Sequence, residues 1–274
     1  MNTPSELHIE HPERWRLEVA VRQQQVQYIA YAPDLRDTLT IGTVPLDPGR
    51  EWLAAVENAV YDHPAMLDDF GAVRVVVEAQ HFVVAPATVA HDEMLASRTF
   101  DAMFPDDDLA VNCCSLPKCG VTIVYGLPRG LREFLQRTFN NPLIVHHLYP
   151  LCEHFHDLNA GATASRLFIN THERSMDIAL FQNERLVLAN TLPWRNAEEA
   201  AYLVLHTCET MRLDALTDEV QLTGDKQQRD ALAPLLRKFV KYVMPAIFPA
   251  AALRLGSAAM KAPLDLILIA SCES

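Results

Sequence analysis

The chain has 274 residues, half of them hydrophobic and 21% charged, which is the composition of an ordinary globular protein. Its formal net charge of −12 opposes the phosphates of nucleic acids and anionic lipid surfaces, so we expect no nucleic acid partner. Residues 1–16 contain no apolar leader, and prolines and charges interrupt the apolar stretch at 242–270, so we expect no membrane insertion and a cytoplasmic location.

The first half of the chain predicts three strands, a helix and a fourth strand. From Arg16 to Val21 apolar residues alternate with residues of other types, which is typical of a half-buried strand. Residues 22–25 then form a turn that leads into a second strand. The other predicted elements are a strand around Ile41, a helix at 52–60 and a strand at 73–77 that is covered on both faces.

An insertion, at about residues 82–127, delays the closing strand of this half. Its predicted elements are a strand at 82–86, a helix at 92–104, a solvated acidic turn at 106–108, and strands at 109–113 and 121–125. A helix at 129–139, the closing strand at 143–147 and a helix at 151–158 that crosses to the second lobe follow it. Because surface insertions often carry binding, we expect residues 82–125 to contact a protein partner of unknown identity.

The second half repeats this order from Arg166 onward. Asn196 with Glu199 three positions later predicts a capped helix, and the apolar run at 264–269 predicts a buried closing strand. The remaining predicted elements are strands at 167–170, 176–181, 186–189 and 220–222, and a helix after Gly224 that contains Pro234. We therefore predict an α/β protein of two lobes, 1–158 and 159–274, each in the order strand, strand, strand, helix, strand, helix, strand.

This doubling resembles the actin-like ATPase (ribonuclease H-like) fold of actin, sugar kinases and heat-shock chaperones. The chain also resembles a bacterial family of unknown function with an actin-like fold, which is similar to the cytoplasmic actin-like components of pilus and secretion machines. The matching stretches are 82–86, 167–170, 176–181, 186–190, 198–202, 222–225 and the C-terminus with Cys272 and Glu273.

The resemblance implies a nucleotide site that can be tested against the residues. An active member needs a glycine in each of two hairpin tips, an aspartate near the first tip for Mg²⁺, and a glycine pair beside the adenosine. The tips at 22–25 and 171–174 contain no glycine, the carboxylate nearest the first tip is Glu18 within a strand, and only Gly224 stands at the adenosine position. We predict no catalytic residue and no bound cofactor, which describes a degenerate ATPase used as an interaction scaffold or adaptor.

The alternative is a nucleotide-binding switch or weak ATPase of the same fold. In it, Arg22, Thr171, Arg174 and Thr223 replace the glycine contacts, and Thr171, Arg174, Thr223 and Gly224 form the cofactor site for ATP with Mg²⁺. Residues 172–174 could instead contact a different anion, or form a solvated tip. Gly224 could equally be explained by a turn that leads into a helix.

Two clusters of metal-binding residue types have simpler interpretations. Four histidines and a cysteine lie between His146 and His156, but their spacing follows no zinc motif, so we expect no metal site and interpret some of them as polar cleft or helix-face positions. Cys113 and Cys114 are adjacent in a strand and should therefore point to opposite faces. Three other cysteines have apolar neighbours and should be core residues, namely Cys152, Cys208 and Cys272.

Overall fold

The computed structural model describes residues 9–271, so the expectations for residues 1–8 and for Cys272 and Glu273 lie outside the described residues. The chain divides into two compact units. Unit 1 contains the residues up to Ser115, Thr122–Pro150 and the segment from Pro249 onward, whereas unit 2 contains Leu116–Val121 and Leu151–Phe248. The C-terminal segment, which we expected in the second lobe, therefore belongs to unit 1.

Unit 1 is built on a five-stranded sheet. The elements of this part of the chain are β1 (Arg16–Val21), β2 (Gln25–Tyr31), β3 (Thr40–Pro45), α1 (Trp52–Tyr61), β4 (Ala72–Val77), β5 (Phe82–Pro86), α2 (Glu93–Met103), β6 (Leu109–Leu116), β7 (Val121–Pro128), α3 (Leu131–Thr138) and β8 (Leu143–His146). The strand order is β3-β2-β1-β4-β8. β1 is antiparallel to β2 and parallel to β4, in a register that places Glu18 opposite Arg74.

The predicted insertion forms its own three-stranded sheet in the order β5-β7-β6, with α2 packed against it. The carboxylate of Asp92 caps α2 by accepting a hydrogen bond from the Leu95 backbone N–H at 3.0 Å. The core of the insertion consists of Ala85, Val89, Ala96, Phe100 and Val124. The predicted elements of the insertion are therefore confirmed.

Unit 2 repeats the sheet of unit 1. After α4 (Leu148–Asn159), the chain forms β9 (Arg166–Thr171), β10 (Ser175–Gln182), β11 (Arg185–Pro193), α5 (Ala197–Thr210), β12 (Glu219–Gly224), α6 (Lys226–Leu236), β13 (Tyr242–Pro245) and α7 (Leu264–Ser271). The strand order β11-β10-β9-β12-β13 has the same sequence of antiparallel and parallel pairs as the sheet of unit 1. The predicted duplication is confirmed.

Helices cover both faces of the second sheet. Alternate residues of β9 and β10, such as Ile169 and Ile178, join a core with α5 and α6. Phe168 points to the other face and stacks on Phe155 of α4, with ring centroids 4.5 Å apart. The predicted cap of α5 is present, since Asn196 Oδ1 accepts a hydrogen bond from the Glu199 backbone N–H at 2.8 Å.

The predicted closing strand at 264–269 is wrong, because these residues form the helix α7. The closing strand of the second sheet is β13, which pairs with β12. Each residue of α7 from Leu264 to Ala270 is buried, and a helix buried on all sides produces the same continuous apolar run as a buried strand. α7 follows β13 as α4 follows β8, so it is the counterpart of α4, and it packs against β1 and β4 of unit 1.

None of the helices within residues 9–271 combines the length and the apolar character that a bilayer crossing requires.

Candidate functional site

The first hairpin tip joins β1 to β2 and is closed by the Arg22 backbone N–H, which donates to the carbonyl of Gln25 at 3.0 Å. Arg22 was a candidate phosphate contact, but its side chain is buried within unit 1. Its Nε donates to Gln27 Oε1 at 2.5 Å, and its Nη2 lies 2.9 Å from both carboxylate oxygens of Asp265 in α7. The positive charge at this tip is therefore neutralised by a buried carboxylate of the same unit.

Glu18, the carboxylate nearest this tip, is also held inside unit 1. It is fully buried, Arg74 Nη2 lies 3.3 Å from its Oε1, and the hydroxyl of Tyr31 donates to Oε1 at 3.2 Å. Arg74 also donates from Nη1 to the backbone carbonyl of Ile269 in α7. Glu18 is therefore part of the polar contacts between the sheet and α7, where a hydrated Mg²⁺ would have no solvent access to it.

The second tip joins β9 to β10 and is organised around Asp177, which is 2% exposed. His172 Nε2 lies 2.6 Å from Asp177 Oδ2, and Asn170 Nδ2 donates to the same oxygen at 3.1 Å. The hydroxyl of Thr191 donates to Asp177 Oδ1 at 2.9 Å. These three donors compensate for burying the Asp177 carboxylate.

The two tips share one arrangement. The His172 backbone N–H donates to the carbonyl of Ser175, as that of Arg22 does to Gln25, so Arg22 and His172 occupy equivalent positions. In each tip the first turn residue bonds the side chain five positions later, Gln27 in unit 1 and Asp177 in unit 2. Both side chains thus fold back onto the following strand.

Gly224 has a steric role at the ends of β9 and β12. Its φ is +88°, and a Cβ at this position would lie 2.2 Å from the carbonyl oxygen of Thr171. The Thr171 hydroxyl lies 3.0 Å from the carbonyl oxygen of Thr223 and 3.2 Å from that of Asp225. The glycine is therefore required by the close approach of β9 and by the turn into α6, which Asp225 caps.

The four predicted cofactor contacts are not all brought together. Thr171, Thr223 and Gly224 meet where β9 and β12 end, and the Thr171 hydroxyl is engaged there by backbone carbonyls. Arg174 is exposed in the turn of the β9–β10 hairpin, and its backbone carbonyl accepts a hydrogen bond from Trp194.

The histidine cluster divides between the units. His146 and His147 are buried in unit 1 with ring centroids 4.3 Å apart, whereas Cys152, His154 and His156 belong to α4 in unit 2. Burial lowers the pKa of His154. Within residues 9–271, no three His, Cys, Asp or Glu side chains converge as a metal site.

The cysteines of the described chain follow the predicted positions. Cys113 is exposed and Cys114 buried, as expected for neighbours on opposite faces of a strand, and Cys152 and Cys208 are core residues. Burial raises the pKa of Cys119 to about 12, and the negative charge of the nearby Glu153 contributes to this increase. This thiol is therefore protonated at neutral pH and a poor nucleophile.

The residues that sequence analysis missed are Gln27, Asp177, Thr191 and Asp265. Only the two pairs with five-residue spacing had a local signal, because Asp265 bonds a residue 243 positions away.

The comparisons with known proteins give a family and a fold. The family described as "Protein of unknown function (DUF3822)" matches residues 4–243. No curated protein shows significant similarity to the chain.

Two solved structures have a similar fold. A protein of actin-like ATPase fold and unknown function from Bacteroides thetaiotaomicron VPI-5482 gives a TM-score of 0.76 at 18% identity, over 94% of this chain and 96% of that chain. A chain of the PilM–PilN type IV pilus biogenesis complex gives a TM-score of 0.57 at 11% identity, over 94% of this chain and 99% of that chain. At these identities the similarity concerns the fold alone, and it confirms the expected actin-like ATPase fold.

Proposed function

This chain belongs to the DUF3822 family of unknown function and has the actin-like ATPase fold, and from these facts we propose that it is a non-catalytic interaction scaffold of the cytoplasm. In this proposal the duplicated fold provides surfaces that bind other proteins, and its ability to bind a nucleotide has been lost. The observation that supports the proposal is that side chains of both hairpin tips are held by hydrogen bonds within their own unit.

In each tip a side chain folds back onto the following strand. An active ATPase of this fold needs backbone N–H groups at this position that are open to phosphate. Arg22 is held by Gln27 and Asp265, and His172 by Asp177. Neither turn contains a glycine that would allow phosphate oxygens to approach the backbone closely. A phosphate contact from Arg22 would have to compete with Asp265, at 2.9 Å, for the same guanidinium.

The insertion is the surface we propose for the partner, and its free part is α2. The turn between β6 and β7 already contacts α4, since Lys118 Nζ donates to Asp157 at 2.6 Å and the Lys118 backbone N–H donates to Glu153 at 3.1 Å. On α2, by contrast, Met94 and Met103 are 67% and 62% exposed. Leu95 of the same helix is 42% exposed, and large apolar side chains open to solvent suit a protein contact. A solved chain of similar fold is named as part of the PilM–PilN complex, which supports protein binding by this fold.

Calorimetric titration with ATP and Mg²⁺ tests the loss of the nucleotide. We expect no binding in the micromolar range and no ATP hydrolysis, with an active actin-like ATPase titrated in parallel as the positive control. Micromolar binding with turnover would contradict the scaffold proposal and favour the nucleotide-dependent switch. In that case Gly224→Val should abolish the thermal stabilisation by ATP.

Affinity capture from the native cytoplasm tests the partner surface. The variant Met94→Gln/Met103→Gln keeps the helix propensity of α2 and removes its two most exposed large apolar side chains. The matched control is Met260→Gln, which changes a methionine that is 70% exposed outside the insertion. We expect the α2 variant to lose partners that the control retains. If the α2 variant and a deletion of residues 82–125 both keep every partner, the interface lies elsewhere.

A further inference from the structure

A cleft of about 300 Å³ lies in unit 2 between α6 and the edge strand β13. None of its lining residues belongs to a hairpin tip or to the insertion. Its apolar lining residues are Leu222, Ala233, Pro234, Met244 and Pro245, and its charged lining residues are Arg229, Asp230 and Arg237.

The sequence of α6 explains why a cleft forms here. Arg229, Ala233 and Arg237 are four residues apart and share one face of the helix, with the small side chain in the middle. Pro234 stands within the helix and has no N–H, so it donates no hydrogen bond to the carbonyl of Asp230. β13 is only four residues long and lies at the edge of the sheet, and within residues 9–271 no further strand pairs with its outer side. The result is an open cleft that is lined by apolar side chains and by two arginines.

The charge of the cleft is positive because its carboxylate is neutralised. Asp230 pairs with Lys226 of the same helix at 2.5 Å. Arg237 donates from Nε and Nη2 to the backbone carbonyl of Val243, at 3.3 and 3.1 Å, so its position is fixed while its charge remains uncompensated by any carboxylate in the described part of the chain.

Arg229 is the residue that points to a ligand. Within residues 9–271 its side chain makes no hydrogen bond or close ion pair and its Nε is buried without a partner, although its charge helps to lower the pKa of Asp230. A buried N–H of a charged group is normally bonded, and the planar guanidinium fits the two oxygens of a carboxylate or phosphate. The free donors of Arg229 are notable in a chain with a net charge of −12, since carboxylates are abundant in it.

We propose that this cleft binds a small organic anion. Its oxyanion head, a carboxylate or a phosphate, contacts the guanidinium of Arg229, and its apolar body lies on Leu222, Met244 and Pro245. The volume of the cleft is at the lower end of the range for small-molecule sites, which favours a ligand with a short apolar chain. The inference does not depend on the scaffold function, because none of these residues lies in the tips or in the insertion.

Calorimetric titration of the full-length protein with four probes tests the site. Hexanoate and hexyl phosphate carry the two candidate head groups on one apolar chain, inorganic phosphate lacks the chain, and hexylamine has the opposite charge. We expect one or both of the first two probes to bind at least tenfold more tightly than inorganic phosphate, and hexylamine not to bind. The comparison of hexanoate with hexyl phosphate identifies the head group.

Two variants locate the binding. Arg229→Gln should weaken the better probe at least tenfold, and Ala233→Leu should block it by filling the cleft. The matched control, Arg195→Gln, removes an exposed arginine of the same unit and should bind as the parent does. Urea unfolding of each variant checks that unit 2 remains folded. The proposal is overturned if neither anion binds at millimolar concentration, if hexylamine binds as well as hexanoate, or if folded Arg229→Gln keeps the parent affinity.

Discussion

The ion pair between Arg22 and Asp265 should stabilise unit 1 through α7, and Asp265→Asn tests this. The side chains of Arg22 and Asp265 are only 10% and 2% exposed, and Arg22 Nη2 lies 2.9 Å from each carboxylate oxygen. Asp265 Oδ1 also accepts a hydrogen bond from the Leu266 backbone N–H at 3.0 Å, which the asparagine oxygen can still accept. The substitution therefore removes the charge and keeps the shape and the local hydrogen bond.

The expected loss in the free energy of unfolding is about 3 kcal/mol. Removing one partner of a buried ion pair costs about 3 to 5 kcal/mol, because the remaining charge stays buried without compensation. The lower value applies here since the asparagine oxygen and Gln27 Oε1, at 2.5 Å from Arg22 Nε, still accept hydrogen bonds from the guanidinium. With a urea dependence of roughly 2 to 3 kcal/mol per molar, the midpoint should fall by about 1 to 1.5 M.

Tryptophan fluorescence can follow unit 1 separately. The three tryptophans are Trp15 and Trp52 in unit 1 and Trp194 in unit 2, so a Trp194→Phe background leaves reporters in unit 1 only. In the same background, Asp47→Asn changes an exposed ion pair with Arg50, at 3.3 Å, and should cost less than about 1 kcal/mol. The double variant Arg22→Met/Asp265→Leu should recover most of the stability, because it leaves no unpaired buried charge.

A midpoint shift for Asp265→Asn that is no larger than the shift for Asp47→Asn would show that the buried ion pair does not stabilise unit 1. If Arg22→Met/Asp265→Leu is as unstable as Asp265→Asn, the loss comes from packing rather than from an uncompensated charge.

Two further predictions concern unit 2, read from Trp194 after Trp15 and Trp52 are replaced by Phe. Gly224→Ala should destabilise unit 2 by at least about 2 kcal/mol in urea unfolding, because its Cβ would lie 2.2 Å from the Thr171 carbonyl oxygen. Gly161→Ala is the control, with a similar φ of +72° and no atom within 4 Å, and an equal loss in both variants would show that φ alone matters. Burial lowers the pKa of His154 below 6.5, so its contribution to stability is present above pH 6.5 and is lost as the pH falls through the folded-state pKa. Unfolding midpoints between pH 7 and 5 should therefore fall less steeply in His154→Gln than in the parent, and identical slopes would contradict this.

The sequence was sufficient to predict the doubled sheet except for its last strand, β13, because the other strands and the helices before α7 have local patterns. Alternation in β1, the cap at Asn196 and the continuous apolar run of β4 depend on residues close together in the chain. The repeated order then limited the topology, since parallel neighbours need a crossover and antiparallel neighbours a hairpin. The absence of tip glycines was likewise visible without a structure.

The contacts of the tips were only partly predictable. Arg22 with Gln27 and His172 with Asp177 have the same five-residue spacing across equivalent hairpins, so a comparison of the two copies could have suggested them. The bond from Arg22 to Asp265 could not be inferred in this way, because it joins residues 243 positions apart and depends on where α7 packs. The alternative hypothesis of a nucleotide-binding switch could therefore assign Arg22 to a phosphate contact.

The wrong strand at 264–269 and the assignment of Arg22 to phosphate in the alternative hypothesis have one physical origin. The apolar run of α7 contains a single carboxylate, Asp265, and a carboxylate in such a run is stable only if a cation meets it inside the protein. In a strand within the second sheet, Asp265 would have needed that cation in the second lobe. As a helix packed on β1 and β4, it meets Arg22 at the first tip, and the same contact that fixes α7 in unit 1 takes the arginine away from any phosphate. The ion pair between Arg22 and Asp265 thus both holds α7 in unit 1 and occupies the guanidinium of the first tip.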